Sequence, residues 1–139
     1  MMAILCAVVF TGLPAAADII YDNGHDTAGA TASDFSWGNQ IADDFQLQPG
    51  SATITDIHWW GAYSSDVPSV DDFTIRIFAE DTSAPADDYF VELTGVTGNR
   101  TPSGGDIGGF TEYAYSVDTD PIVLAADTTY WLSIVDNTA

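Results

Sequence analysis

The amino-acid sequence predicts an all-β domain, an antiparallel β-sandwich of jelly-roll type with about eight short strands. Apolar and polar residues alternate in short segments, which is the pattern of strands that are buried on one face. Turn sequences rich in Gly, Pro, Asn and Asp separate these segments, and no segment carries a sustained helical repeat. Antiparallel sheets bury an apolar face by packing against a second sheet, so a sandwich is expected, with a closed barrel as the alternative.

The predicted strands follow one another along the chain. They cover residues 19–21, 41–47, 53–63, 72–79, 89–94, 112–117, 121–124 and 129–135. The third is the clearest, because its residues alternate and place Ile57, Trp59 and Tyr63 on one face. Trp59 and Trp60 are adjacent and must leave the strand by opposite faces. We place Trp59 in the core beside Ile57, and Trp60 outside. Residues 95–109 are rich in glycine and poor in apolar side chains, so we predict a long loop there.

The first 17 residues predict a secretory signal peptide. They carry no charge, contain an apolar run at residues 3–13 and end in three alanines, which is the pattern of the apolar region and cleavage site of such a peptide. We expect cleavage after Ala17, which leaves residues 18–139 as a single β-sandwich domain; an ordinary buried segment is the alternative. Because the sequence stops directly after a strong strand, we expect the domain to continue beyond Ala139.

The charge of the chain limits its partners. It has 21 acidic residues against two arginines and no lysine, for a formal net charge of −19. Such a charge repels nucleic acid and anionic membrane surfaces, so we expect neither as a partner. The apolar run of the leader is also shorter than the roughly 20 residues that span a bilayer, so no membrane span is expected. Arg76 lies in a predicted strand, where we expect it to pair with an Asp.

Five segments of the chain together resemble a group of bacterial exported proteins. They are residues 20–24, 42–45, 57–63, 71–78 and 124–132, which read IYDNG, ADDF, IHWWGAY, DDFTIRIF and LAADTTYWL. The group carries the PEP-CTERM sorting signal, and its β domain has no assigned activity. The resemblance implies an exported, envelope-associated or extracellular protein and supplies no catalytic residues. In that group a Pro-Glu-Pro motif, an apolar helix and a basic run follow the β domain; this sequence contains none of them, so the tail lies beyond Ala139 or the protein is released.

The inventory of catalytic residues is small. His25 and His58 are the only histidines, and Cys6, the only cysteine, lies in the predicted leader. The sequence has no nucleophile elbow, no zinc-protease motif, no phosphate loop and no dinucleotide fingerprint. We therefore predict that the domain is not an enzyme. A glycan hydrolase needs only two suitably placed carboxylates and stays as an alternative.

The abundance of aspartate suggests structural calcium, although no cofactor is required by the sequence. Calcium takes about six to eight oxygen ligands from carboxylates and carbonyls, and the loops of a sandwich can supply them. The candidate ligands are Asp22, Asn23, Asp43, Asp44, Asp71 and Asp72. The alternative is that these side chains are a solvated acidic coat.

Aromatic residues suggest carbohydrate binding. An aromatic ring covers the apolar face of a sugar, while nearby polar groups bind its hydroxyls. The candidate platform consists of Trp60, with Tyr63 and Trp131 nearby. The alternative is that all three residues only contribute to packing.

Together these features predict a non-catalytic exported domain with a structural or adhesive role at the bacterial cell surface or in the extracellular matrix. Its expected partners are extracellular polysaccharide or other surface proteins. The alternative is a carbohydrate-binding module of a surface polysaccharide system.

Overall fold

A computed structural model describes residues 6–11, 19–22, 31–64 and 66–138. Within these residues the chain forms nine β-strands and one short 3₁₀ helix, Phe35–Trp37. The strands are β1 (Cys6–Thr11), β2 (Ile19–Asp22), β3 (Ala42–Gln46), β4 (Thr53–Ala62), β5 (Phe73–Glu80), β6 (Pro85–Val96), β7 (Asn99–Ile107), β8 (Phe110–Val123) and β9 (Thr129–Asp136). No helix in this described part is long and apolar enough to cross a membrane.

The strands form two antiparallel sheets. One has the order β2-β1-β4-β8-β7, and the other has the order β3-β9-β5-β6. The pairs are nested along the chain, because β5 pairs with β6, β4 with β8, and β3 with β9. Nested antiparallel pairs divided between two sheets are the arrangement of a jelly roll. The prediction of an all-β sandwich is confirmed.

The core lies between the inner faces of the two sheets. Trp59 of β4 is buried there, stacked on Tyr115 with ring centroids 5.2 Å apart and edge-on to Phe73 at 5.3 Å. Such aromatic pairs contribute about 0.5–1.5 kcal/mol beyond the area that they bury. Trp60 leaves β4 on the opposite face and is half-buried. The predicted assignment of Trp59 to the core and Trp60 to the outside is confirmed.

The structure corrects the loop predicted at residues 95–109. Residues Asn99–Ile107 form β7, which pairs with β8 at the edge of the five-stranded sheet. Most of the side chains of β7 are exposed, whichever face they are on, so the strand shows no apolar alternation in the sequence. Gly98 precedes β7 with φ of 57°, and an added Cβ there would lie 3.2 Å from the Trp59 ring.

Two further segments differ from the predicted boundaries. The predicted strands 112–117 and 121–124 form one continuous strand, β8, whose register with β4 shifts between Ile54 and Asp56. Strand β1 falls within the predicted leader and pairs with β2 on one side and β4 on the other. Cleavage after Ala17 stays a prediction.

One end of the sandwich brings distant parts of the chain together. Strand β9 ends at Asp136, opposite Phe73 at the start of β5. The segment before β3 also reaches this end, because Asp34 forms an isolated bridge with Asp136. The connection from β4 to β5 contributes Asp71, two residues before β5 begins. Asp34, Asp71 and Asp136 are all buried, and we call the region that they share the acidic end.

Candidate functional site

Asp136 is directed inward by the alternation of β9. Tyr130, Leu132 and Ile134 lie in the core, and Asp136 is the next residue of that inner face. The strand thus ends with a carboxylate where the pattern places an apolar side chain. The side chain is buried, with one oxygen, Oδ1, accepting a hydrogen bond from the Thr138 amide at 2.8 Å.

Asp34 is placed beside Asp136 by hydrogen bonds between its segment and β9. The Asp136 amide donates to the Ser33 carbonyl at 3.1 Å, and the Ser33 hydroxyl donates to the Ile134 carbonyl at 2.6 Å. Because Asp34 and Asp136 are partners in a parallel bridge, their side chains leave the backbone on the same side. The two carboxylates therefore lie next to each other.

Asp34 also caps the 3₁₀ helix that follows it. Its Oδ1 accepts hydrogen bonds from the amide and the hydroxyl of Ser36, at 2.7 and 2.6 Å. Backbone hydrogen bonds between Asp34 and Asn39, at 2.9 and 3.2 Å, close the turn at its base. This turn, residues 34–39, exposes Phe35 at 74% and Trp37 at 59% of their surface, and we call it the aromatic turn.

Asp71 has partners of a different kind. Its Oδ1 accepts hydrogen bonds from the Tyr63 hydroxyl at 2.5 Å and from Arg100 Nη1 at 2.6 Å. Arg100 Nη2 donates to the Pro68 carbonyl at 2.9 Å. The guanidinium carbon lies 5.9 Å from the centre of the Tyr63 ring and 5.4 Å from that of Tyr113. Asp71 is thus a buried carboxylate with a cation and a hydroxyl donor beside it.

Burial shifts the titration of several of these groups. It raises the pKa of the Tyr63 phenol, and the hydrogen bond to Asp71 raises it further. Burial also raises the pKa of Tyr115, to about 12. It would lower the pKa of Arg100, but the charge of Asp71 acts in the opposite direction and the pKa ends above its usual value.

The pKa of Asp136 is raised mainly by burial. Its hydrogen bonds with Thr138 lower that pKa, whereas the charges of Asp34 and Asp71 raise it. The carboxylates of the acidic end are therefore close enough for their charges to interact.

The predicted carbohydrate residues lie in three different places. Trp60 is half-buried on the outer face of the five-stranded sheet. Trp131 is half-buried on the four-stranded sheet, facing away from its buried neighbours Tyr130 and Leu132. Tyr63 is buried in the core, as its place on the face of Ile57 suggested. The structure does not bring Trp60, Tyr63 and Trp131 together as one platform.

The predicted calcium ligands are also dispersed. Asp22 is exposed at the end of β2, while Asp43 and Asp44 are exposed on β3. Asp71 is buried against Arg100, and its neighbour Asp72 is exposed. Asn23 lies outside the described residues. No group of three or more His, Cys, Asp or Glu suited to a metal ion occurs in the described part of the chain.

The remaining polar candidates are paired within the sheets. His58 Nε2 lies 3.0 Å from Asp56 Oδ2, two residues earlier on the same strand. His25 lies outside the described residues. Arg76 pairs with a Glu rather than an Asp: its Nε donates to Glu92 of β6 at 2.8 Å.

Comparison with known proteins places the chain in a family. The model of a domain of unknown function, DUF7901, matches residues 15–93. The chain belongs to this family. No curated protein and no solved structure matches it.

The DUF7901 match covers only part of the acidic end. It includes Asp34, the aromatic turn and Asp71. It ends before Arg100 and Asp136. The acidic end has two halves, one formed by Asp71 with Arg100 and the other by Asp34 with Asp136. Each half combines a residue within the matched segment with one beyond it.

Sequence reasoning missed Asp34, Phe35, Trp37, Arg100 and Asp136 as members of a site. Only Asp136 had a signal in the sequence, because it continues the inward series of Tyr130, Leu132 and Ile134. The position of Asp34 depends on pairing between segments about 100 residues apart, which no local pattern encodes.

Proposed function

We propose that this DUF7901 protein is a non-catalytic exported domain with an adhesive or structural role at the bacterial cell surface or in the extracellular matrix. The leader pattern, the acidic composition and the resemblance to exported proteins support the location. The contact surface that we propose is the aromatic turn.

The exposure of Phe35 and Trp37 is the observation that carries this proposal. Single apolar residues on a surface are ordinary, but here two large rings occur on a three-residue helix, at 74% and 59% exposure. The turn is fixed by the Asp34 cap and by the hydrogen bonds between Asp34 and Asn39. A contact surface that is already ordered loses little conformational entropy when it binds.

The experiment measures binding of fluorescently labelled full-length protein to the cells that produce it. We expect the double variant Phe35→Ala, Trp37→Ala to bind at least about tenfold more weakly, as is typical when central aromatic contacts are lost. The matched control is Phe90→Ala, because Phe90 is 59% exposed on β6, away from the turn. Equal binding by the double variant and the wild type would refute the aromatic turn as the contact surface.

The exported location has its own test. We expect fractionation of the producing cells to place the protein in the envelope or the medium, with an N-terminus that begins after Ala17. Recovery from the cytosol with the leader intact would refute export.

A carbohydrate-binding module is the second candidate, and the aromatic turn favours it. Exposed aromatic rings stack on the apolar faces of sugars, and the polar side chains of Ser36 and Asn39 are on the same turn. Mild periodate oxidation of the cells destroys glycans but leaves proteins largely intact. Loss of binding after periodate would identify a carbohydrate target, whereas loss only after protease treatment would identify a protein target.

A further inference from the structure

We infer that Asp34 and Asp136 together bind a hard divalent cation of the calcium type, which fastens the aromatic turn to the end of β9. This site differs from the calcium ligands that the sequence suggested, and it does not depend on the proposed adhesive role. It follows from the position, the bonding and the charge of the two carboxylates.

The first step is that each carboxylate has one oxygen without a hydrogen-bond partner in the part of the chain that the structure describes. Oδ1 of Asp34 is bonded to Ser36, and Oδ1 of Asp136 is bonded to Thr138. Oδ2 of each residue is buried and has no hydrogen-bond partner among the described residues. A buried polar atom without a partner destabilises the fold, more so when it is charged, so two such atoms on bridge partners need an explanation.

The second step concerns charge. The whole chain contains only two arginines and no lysine. Arg100 is bonded to Asp71, and Arg76 is bonded to Glu92 and Gln40. Neither arginine therefore remains to neutralise Asp34 and Asp136, and a shared proton or a bound cation would relieve the repulsion between two adjacent buried carboxylates.

The third step favours the cation over the proton on grounds of geometry and charge. Oδ1 of each carboxylate already accepts hydrogen bonds, from Ser36 at Asp34 and from Thr138 at Asp136, so each residue has Oδ2 left for a ligand. The two residues are bridge partners whose side chains leave the backbone on the same side. One divalent cation between them would neutralise both charges, whereas one shared proton would leave a negative charge buried.

The ligand chemistry selects calcium among divalent cations. Calcium combines carboxylates with carbonyl oxygens and water in flexible geometry, so it does not need a third acidic side chain. Zinc prefers His and Cys ligands, and no cluster of His, Cys, Asp and Glu of three or more occurs in the described ranges. Magnesium keeps several waters in strict octahedral geometry, for which a closed site between two backbone segments is poorly suited.

The test uses the full-length protein, first treated with chelator and then titrated with calcium chloride in about 150 mM sodium chloride, which screens its general acidity. We expect calorimetry to detect one site and the melting temperature to rise by about 5 °C or more, as saturating ligands do for domains of this size. Asp34→Asn and Asp136→Asn should each abolish the rise. Asp34→Asn keeps an oxygen that can accept from Ser36, so the cap itself is retained.

The matched control is Asp88→Asn, which removes one charge from an exposed position on β6 and should keep the full calcium response. Amide hydrogen exchange of the wild-type protein gives an answer even where a variant fails to fold. Calcium should slow exchange in residues 33–39 and 133–138 and leave β6 unchanged. No calcium response, or a response that Asp34→Asn and Asp136→Asn both retain, would overturn the inference.

Discussion

Asp71 and Asp136 are both buried at the acidic end of one sandwich, yet their surroundings differ. Asp71 has an arginine at 2.6 Å and a tyrosine hydroxyl at 2.5 Å. Asp136 has a second carboxylate, Asp34, as its bridge partner and one oxygen without a partner among the described residues. Asp71 is thus neutralised by an arginine of the chain, whereas Asp136, at similar burial, lies beside a second negative charge.

The difference follows from the small number of basic side chains that this sequence contains. Burying a carboxylate is costly unless its charge is paired or its oxygens are hydrogen-bonded. With two arginines in the chain, only two carboxylates have an arginine as their partner, and these are Asp71 and Glu92. We infer that Asp34 and Asp136 obtain their positive charge from outside the chain, which makes the second half of the acidic end dependent on the medium.

The largest effect should follow from removing the cation beside Asp71. Arg100→Met keeps the apolar stem but leaves Asp71 buried without its charge partner, so we expect a loss of about 3–5 kcal/mol in unfolding free energy. The control is Arg76→Met, where the arginine and Glu92 are more exposed, so we expect a loss of about 1 kcal/mol or less. Urea unfolding at pH 7 measures both. Equal losses would show that Asp71 does not depend on its arginine.

A smaller effect should follow from removing the hydroxyl beside Asp71. Tyr63→Phe leaves the ring in the core but deletes a hydrogen bond to a charged group, so we expect a loss of about 1.5–3 kcal/mol. The matched control is Tyr113→Phe, which removes the hydroxyl of the other ring that Arg100 covers. The same urea unfolding experiment measures both variants. A Tyr63→Phe protein as stable as the wild type would mean that this hydrogen bond contributes nothing net.

The sequence predicted the fold and part of the core, but not the partners of the buried carboxylates. Alternation predicted the sandwich and put Trp59 and Tyr63 on the core face, because each is a property of one strand. Arg100 was hidden in a segment predicted as a loop, since β7 has no buried face to give a pattern. The partnership of Asp34 with Asp136 arises only when the two segments meet in the folded chain, so no local rule could find it.

Alkaline pH should also destabilise the half of the acidic end that contains Asp71. Burial raises the pKa of Tyr115 to about 12 and also raises the pKa of Tyr63. The charge of Asp71 raises the pKa of Tyr115, whereas that of Arg100 lowers it, and the charge of Asp136 raises the pKa of Tyr63. Above about pH 9 the folded state therefore binds more protons than the unfolded state, whose tyrosines titrate near pH 10. Stability is therefore unaffected below about pH 9 and falls above pH 10, by about 1.4 kcal/mol per pH unit for each such tyrosine.

Unfolding free energies between pH 8 and 11 check this prediction. Tyr115→Phe should flatten the alkaline decline, because Phe does not titrate. A decline of unchanged slope in that variant would show that other groups cause the loss.

The smallest effect is expected at Asp136, where the sign of the change in unfolding free energy should depend on calcium. In chelator at pH 7 we expect Asp136→Asn to raise the unfolding free energy by about 1 kcal/mol, because an amide beside Asp34 replaces charge repulsion with a hydrogen bond. In saturating calcium the wild type gains the binding energy of the ion and the variant does not, so the order of stability should reverse. The corresponding change at the other half, Asp71→Asn, should destabilise in both conditions, because Arg100 then lacks its partner. If Asp136→Asn destabilised in chelator as Asp71→Asn does, the two halves would be alike, and Asp136 would already be neutralised within the chain.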